Sequence, residues 1–232
     1  MLNHLSCHLN CHVKRKLTGS ECEKRTKEKE KNMGKIFKTK FTTATIVLIP
    51  VCIGINYLGK LFASLLKLPL WLDCIGTCIG ACLGGPVIGG ICGAANNVIF
   101  GLTTGDNITL IYAFTSLGIG LAVGILARMG FMSTFLKSFV CAVGGGMAAV
   151  LISTPLNIMF WGGTTGNVWG DALFAATQAS GMSVALGSFL DEIVVDVPDK
   201  ILTIIIVYLI LKGLPKKVSA LYDENAQIER LD

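Results

Sequence analysis

The residues of this chain best placed to do chemistry are polar side chains set inside or at the ends of apolar stretches. Trp71 and Asp73 open the stretch LPLWLDCIGTCIGACLGGPVIGGICGAANNVIFGL (68–102), and Asn96 and Asn97 stand near its end. Asn157 follows Pro155 with Trp161 just beyond, and Lys200 sits among Asp191, Glu192, Asp196 and Asp199. Lipid offers no hydrogen bonds, so amides and charges persist at such positions where helices pack closely or line a cavity. The chemistry they can serve is recognition: an indole stacks on a planar ring, an amide reads a polar edge, a charge meets its complement. Nothing beside them suits covalent or hydrolytic work. The three histidines (His4, His8, His12) all precede the apolar stretches, and neither a phosphate-binding glycine loop nor a dinucleotide fingerprint is present. The chain is therefore expected not to be an enzyme, and no cofactor or metal is implied.

Each candidate also has a structural use. Trp71 suits an interfacial aromatic belt as well as a ring stacked on a ligand. Asp73 is a good amino-terminal cap for the helix that follows it, or else a ligand or gate contact. Asn96 and Asn97 are adjacent and cannot share a helix face, so one is expected to bond a neighbouring helix while the other faces a cavity. Asn157 and Trp161 suit a heterocyclic solute or an interfacial belt. The acidic set attracts a cation or caps the last helix, with Asp196 or Asp199, on either side of Pro198, as the capping candidates. Lys200 is expected to pair with one of these carboxylates or to meet an anionic ligand group.

The elements that must position these residues are transmembrane helices. The chain of 232 residues is 52% hydrophobic and 15% charged, against about 25% charged in an ordinary soluble domain, and its mean hydropathy is +0.65. Six spans of roughly 20 residues fit the length. The pattern places them at about 41–65, 70–84, 86–104, 108–128, 134–160 and 198–212, the last with a possible backward extension over 183–195. Gly84, Gly85 and Pro86 mark a tight turn between the second and third. Residues 161–196 read as a structured external loop, glycine- and threonine-rich at first and helical from Asp171 to Leu190. The fold class is an all-α integral membrane protein.

Charge orients it. The net charge of +5 gathers at residues 14–40, at Arg128–Lys137 and at Lys212, Lys216 and Lys217, while Asp73, Asp106, Asp171, Asp191, Glu192, Asp196 and Asp199 fall on the opposite connections. Basic flanks stay in the cytoplasm, which places both termini inside. Beside membrane spans a basic tail is an orienting device, and no nucleic acid is expected as a partner. The domains read as a basic tail over 1–40, a membrane domain over 41–215 and a cytoplasmic tail over 216–232. Within the first tail, Met33 opens a short basic leader, and Lys29-Glu30 can be encoded as a ribosome-binding sequence. Translation is therefore expected to start at Met33, with residues 1–32 disordered if they are made. The alternative for His4, Cys7, His8, Cys11 and His12 is a metal site. Of nine cysteines, Cys52, Cys74, Cys78, Cys82, Cys92 and Cys141 lie in apolar spans. They are expected to pack as small hydrophobes rather than to bridge or bind zinc.

The stretch 68–102 resembles the opening of the substrate-binding S components of energy-coupling factor transporters, which are bacterial vitamin and micronutrient importers. The matching features are Leu68-Pro69, Asp73 with Gly76-Thr77, Gly85-Pro86, the steps Gly89 and Gly93, then Asn97 and Gly101-Leu102; DEIVVDVPDKILT (191–203) resembles the start of the final helix. The resemblance spans about 41–215. It implies six spans in the bacterial plasma membrane and a solute site near the outer face. It also implies docking on a membrane coupling protein driven by two ATPase subunits. Small residues of the first helix would make that docking surface, here Ala44, Gly54, Gly59 and Ala63. Rival readings are a membrane sensor module and a stand-alone small-solute transporter. The tryptophans favour a planar or hydrophobic solute, and the acidic outer residues a neutral or cationic one.

Overall fold

The computed structural model describes Thr39 and residues 41–222. The expectations for residues 1–32 and the far end of the carboxyl tail fall outside the described residues. Within them the chain is helical and contains no strand.

Among the described residues nine α-helices follow one another: α1 (Thr43–Leu65), α2 (Ile75–Gly84), α3 (Pro86–Thr104), α4 (Asn107–Ile111), α5 (Ala113–Leu126), α6 (Phe135–Trp161), α7 (Val168–Ala179), α8 (Val184–Lys212) and α9 (Lys216–Ser219). A π-helical turn, Ala127–Phe131, closes α5. Four segments are long and apolar enough to cross a membrane: α1, α3, α5 with its π turn, and α6. The chain is membrane-embedded on this evidence. Exposed Ile46, Val47, Val51, Leu58, Phe62 and Leu65 give α1 a largely apolar outer face, as a lipid-facing helix requires.

α2 is different. Its 10 residues rise about 15 Å, half of a hydrocarbon core of about 30 Å. Every residue after Ile75 is buried, so α2 is a central post on which α1, α3, α5 and α8 pack. The expected span over 70–84 is thus a short helix preceded by an extended strap, residues 66–74. Gly85 ends it at φ +95, with the Arg128 guanidinium against its α-carbon. Close approach elsewhere rests on small residues: a Cβ on Gly120 of α5 would lie 2.4 Å from the Gly90 nitrogen of α3. Cys52, Cys78, Cys82, Cys92 and Cys141 fill the core between these helices with Ile79, Ile88 and Val123. All six described cysteines are free and buried, as small packing residues.

The carboxyl-terminal half corrects two expectations. The last helix takes the backward extension over 183–195 rather than starting at Pro198: α8 runs unbroken from Val184, capped by Ser183, whose Oγ accepts from the Leu186 amide at 3.3 Å. Pro198 lies inside it, and Val194, whose carbonyl loses its helical partner to the ring, is exposed. Asp196 and Asp199 are therefore mid-helix residues and cap nothing. The helical part of the 161–196 loop begins at Val168 and breaks at Gly181, where φ is +77. Asp73 is not a cap either: Cys74 holds the N-cap position of α2 without a side-chain bond.

Candidate functional site

A cavity of about 310 Å³ opens where α1, α3 and α6 end and α5 begins, against the middle of α8. That volume is at the low end of pockets that hold small molecules. Its walls are best taken one at a time.

The α1 wall presents Lys60. Its Nζ donates to Asn97 Oδ1 at 3.3 Å, lies 3.7 Å from Asp73 Oδ2 and stands 5.1 Å from the centre of the Phe100 ring. An ammonium has three donors, and these contacts are all long. Lys60 is a charge inside a span, restrained by neighbours yet loosely held.

The strap forms a second wall and brings Trp71 and Asp73 to the cavity. Lys67 (φ 49) and Leu72 (φ 50) both adopt left-handed backbone, a strained choice for residues with a Cβ. Tertiary bonds hold them there. Asp199 Oδ1 accepts from the Trp71 and Leu72 amides at 3.0 and 2.9 Å. Asn167 Nδ2 donates to the Leu68 carbonyl at 3.4 Å, and Trp169 Nε1 to that of Lys67 at 3.2 Å.

The α8 wall supplies Glu192, Asp196 and Lys200. Lys200 Nζ donates to Asp196 Oδ1 at 2.9 Å and to Asp199 Oδ2 at 2.7 Å. Of the two roles open to Lys200, pairing with the acidic set is the one observed. Because Asp199 also receives the strap amides, α8 and the strap are joined through one carboxylate.

Behind the remaining wall stand two amides. Asn97, fully buried, donates to Ser116 Oγ at 2.6 Å and to the Tyr112 carbonyl at 3.0 Å, while accepting from Lys60. Asn157 accepts from the Tyr112 hydroxyl and donates to Glu192 Oε1. Tyr112 in turn stacks on Trp161, with ring centres 5.8 Å apart. Thr115 and Ser153 share a hydrogen bond of 3.0 Å on the cavity floor.

The seven predicted site residues therefore divide. Trp71, Asp73 and Lys200 line the cavity. Asn97 and Asn157 sit one layer out and orient residues that do. Trp161 backs Tyr112. Asn96 is buried elsewhere in α3, and its Oδ1 finds no partner among the described residues. Lys60 and Tyr112 were not singled out from sequence. A charge at position 60, inside an apolar stretch, was a readable sign; Tyr112 gave none. The four small residues of α1 also divide. Ala63 lines the cavity, a Cβ on Gly59 would lie 2.2 Å from the Leu72 carbonyl oxygen, and the Ala44 carbonyl accepts from the Tyr222 hydroxyl at 3.4 Å. Gly54 alone faces open space. No group of three or more His, Cys, Asp or Glu side chains among the described residues is placed to hold a metal ion.

Comparison with protein-family models, with curated proteins and with solved structures finds no match to this chain.

Proposed function

We propose that this chain is the substrate-binding S component of an energy-coupling factor importer for a vitamin or related micronutrient, in a bacterial plasma membrane. One observation carries the reading: apolar helices deliver a lysine, an aromatic strap and a carboxylate wall to a single cavity at one end of the bundle. Such side chains are costly in lipid and are kept there for a ligand or a pathway. In this reading α1, α2 with its strap, α3, α4 with α5, α6 and α8 make the six crossings. Arg128, Lys137 and Lys212 lie at the helix ends away from the cavity, so the basic-flank rule puts the cavity outside and both termini in the cytoplasm.

Function then follows by parts. Solute enters beside the strap and is held between Trp71 and the α8 carboxylates, with Lys60 facing it from α1 and Asp73 from the strap. The chain carries no ATPase motif, so transport depends on a coupling protein and two ATPase subunits docked on the lipid-facing surface of α1. The test is reconstitution of the full chain into liposomes, alone and with those three subunits. Uptake of its copurified small molecule should require the partners and ATP. Uptake by the chain alone would make it a self-sufficient transporter instead.

A further inference from the structure

The cavity walls differ in how well their charges are matched. On α1, Lys60 has Asp73 and Asn97 beside it. On α8, Lys200 is committed to Asp196 and Asp199. Glu192 has no such counterpart. It is 2% exposed and lines the cavity, and no lysine or arginine among the described residues is in ion-pair range of it. Among the described residues its donor is the Asn157 amide. Asp196, a helical turn away on the same wall, is already paired with Lys200, so Glu192 is the carboxyl of that wall left without a cation among the described residues. A buried carboxylate with no cation beside it is costly until one is supplied. The lining as a whole sets Lys60, Lys67 and Lys200 against Asp73, Asp106, Glu192 and Asp196.

A metal ion would need a denser ligand set than this wall offers. The rings of Trp71, Phe100 and Tyr112 border the same cavity, and π-faces beside a carboxylate suit an organic cation. We infer that the solute of this cavity is an organic cation, a protonated amine or positively charged ring nitrogen, and that Glu192 receives its charge; this rests on the solute-binding reading above. Asn157 acts as a positioning residue that fixes one Glu192 oxygen and leaves the other for the ligand.

The experiment uses the full chain in detergent and yeast extract separated into three pools: bound by a cation exchanger, bound by an anion exchanger, and bound by neither. Each pool is scored by the rise it gives in the thermal unfolding temperature. The cation-exchanger pool should carry the stabilising activity. Activity confined to either other pool would overturn the inference while leaving solute binding intact. Stabilisation by none of them would count against both. Glu192→Gln keeps the size and the acceptor for Asn157. It should unfold at the same temperature or higher without additive, yet need roughly 10- to 100-fold more of the active pool for the same shift. An unchanged dose response in that variant would contradict the role of Glu192.

Discussion

Asp199 Oδ1 lies 2.9 Å from the Leu72 backbone nitrogen, so a carboxylate in the middle of α8 fixes a strap 127 residues earlier in the chain. Its other oxygen holds Lys200. A single side chain thus sets the position of Trp71, the local backbone at Leu72 and the charge state of the α8 wall. Asp199→Ala should remove all three at once. Breaking a buried pair costs about 3–5 kcal/mol, and a large fall in unfolding temperature is expected, with faster protease cleavage in residues 66–74. Asp199→Asn, which keeps an acceptor for the strap amides, should lose much less.

Asn97 is a second joint, and a purely internal one. It satisfies Lys60, Ser116 and the Tyr112 carbonyl together. Asn97→Ala takes the amide acceptor from Lys60, leaving it Asp73 alone as a polar neighbour among the described residues, and the amide donor from the buried Ser116 hydroxyl, at about 1–3 kcal/mol for each unmet group. Thermal unfolding should show the loss even with no solute present, which separates this residue from one that only contacts ligand.

Helix packing gives a sharper contrast. Gly120→Ala would drive a methyl to 2.4 Å from the backbone of α3. The α3–α5 pair would have to separate, costing about 1–3 kcal/mol. Gly54 has open space around it, so Gly54→Leu should leave unfolding within about 0.5 kcal/mol of the parent. If α1 docks on the coupling protein, that same variant should lose capture of the partner in a pull-down. Full capture with Gly54→Leu would remove Gly54 from the docking surface.

Of the three tryptophans in the chain, only Trp71 lines the cavity. Solute binding should therefore change the intrinsic fluorescence, and Trp71→Phe should abolish most of that change. A signal that survives the substitution would place the solute nearer Trp161 or Trp169.

How much of this was visible in the sequence depends on the range of the forces involved. Hydropathy found α1, α3 and α6 to within a few residues, because each must present an unbroken apolar face to lipid. At α8 it gave the first half only as a possible extension, because the turns around Asp191, Glu192 and Asp196 are too polar to read as a span and Pro198 imitates a helix start. That Trp71, Asp73 and Lys200 line the cavity follows from residues singled out in the sequence, since charge and indole beside an apolar stretch are local signals. An interhelical bond from Asn96 or Asn97 was legible too, but not which of the two makes it, nor the partners of Asn97 and Asn157. Their partners Lys60 and Glu192 lie 37 and 35 residues away, and no local pattern encodes such a pairing. Lys60 was overlooked because one lysine scarcely alters the hydropathy of a 23-residue helix.

The central claim is that the cavity holds the solute, and a native mass spectrum of the full chain tests it most directly. Protein purified in mild detergent from cells grown in rich medium should carry one small molecule per chain. Ala63→Phe, which places a ring where the cavity now stands, should lose that molecule while keeping its unfolding temperature close to the parent's. A parent chain with no retained molecule, or an Ala63→Phe chain that retains it equally well, would contradict the account.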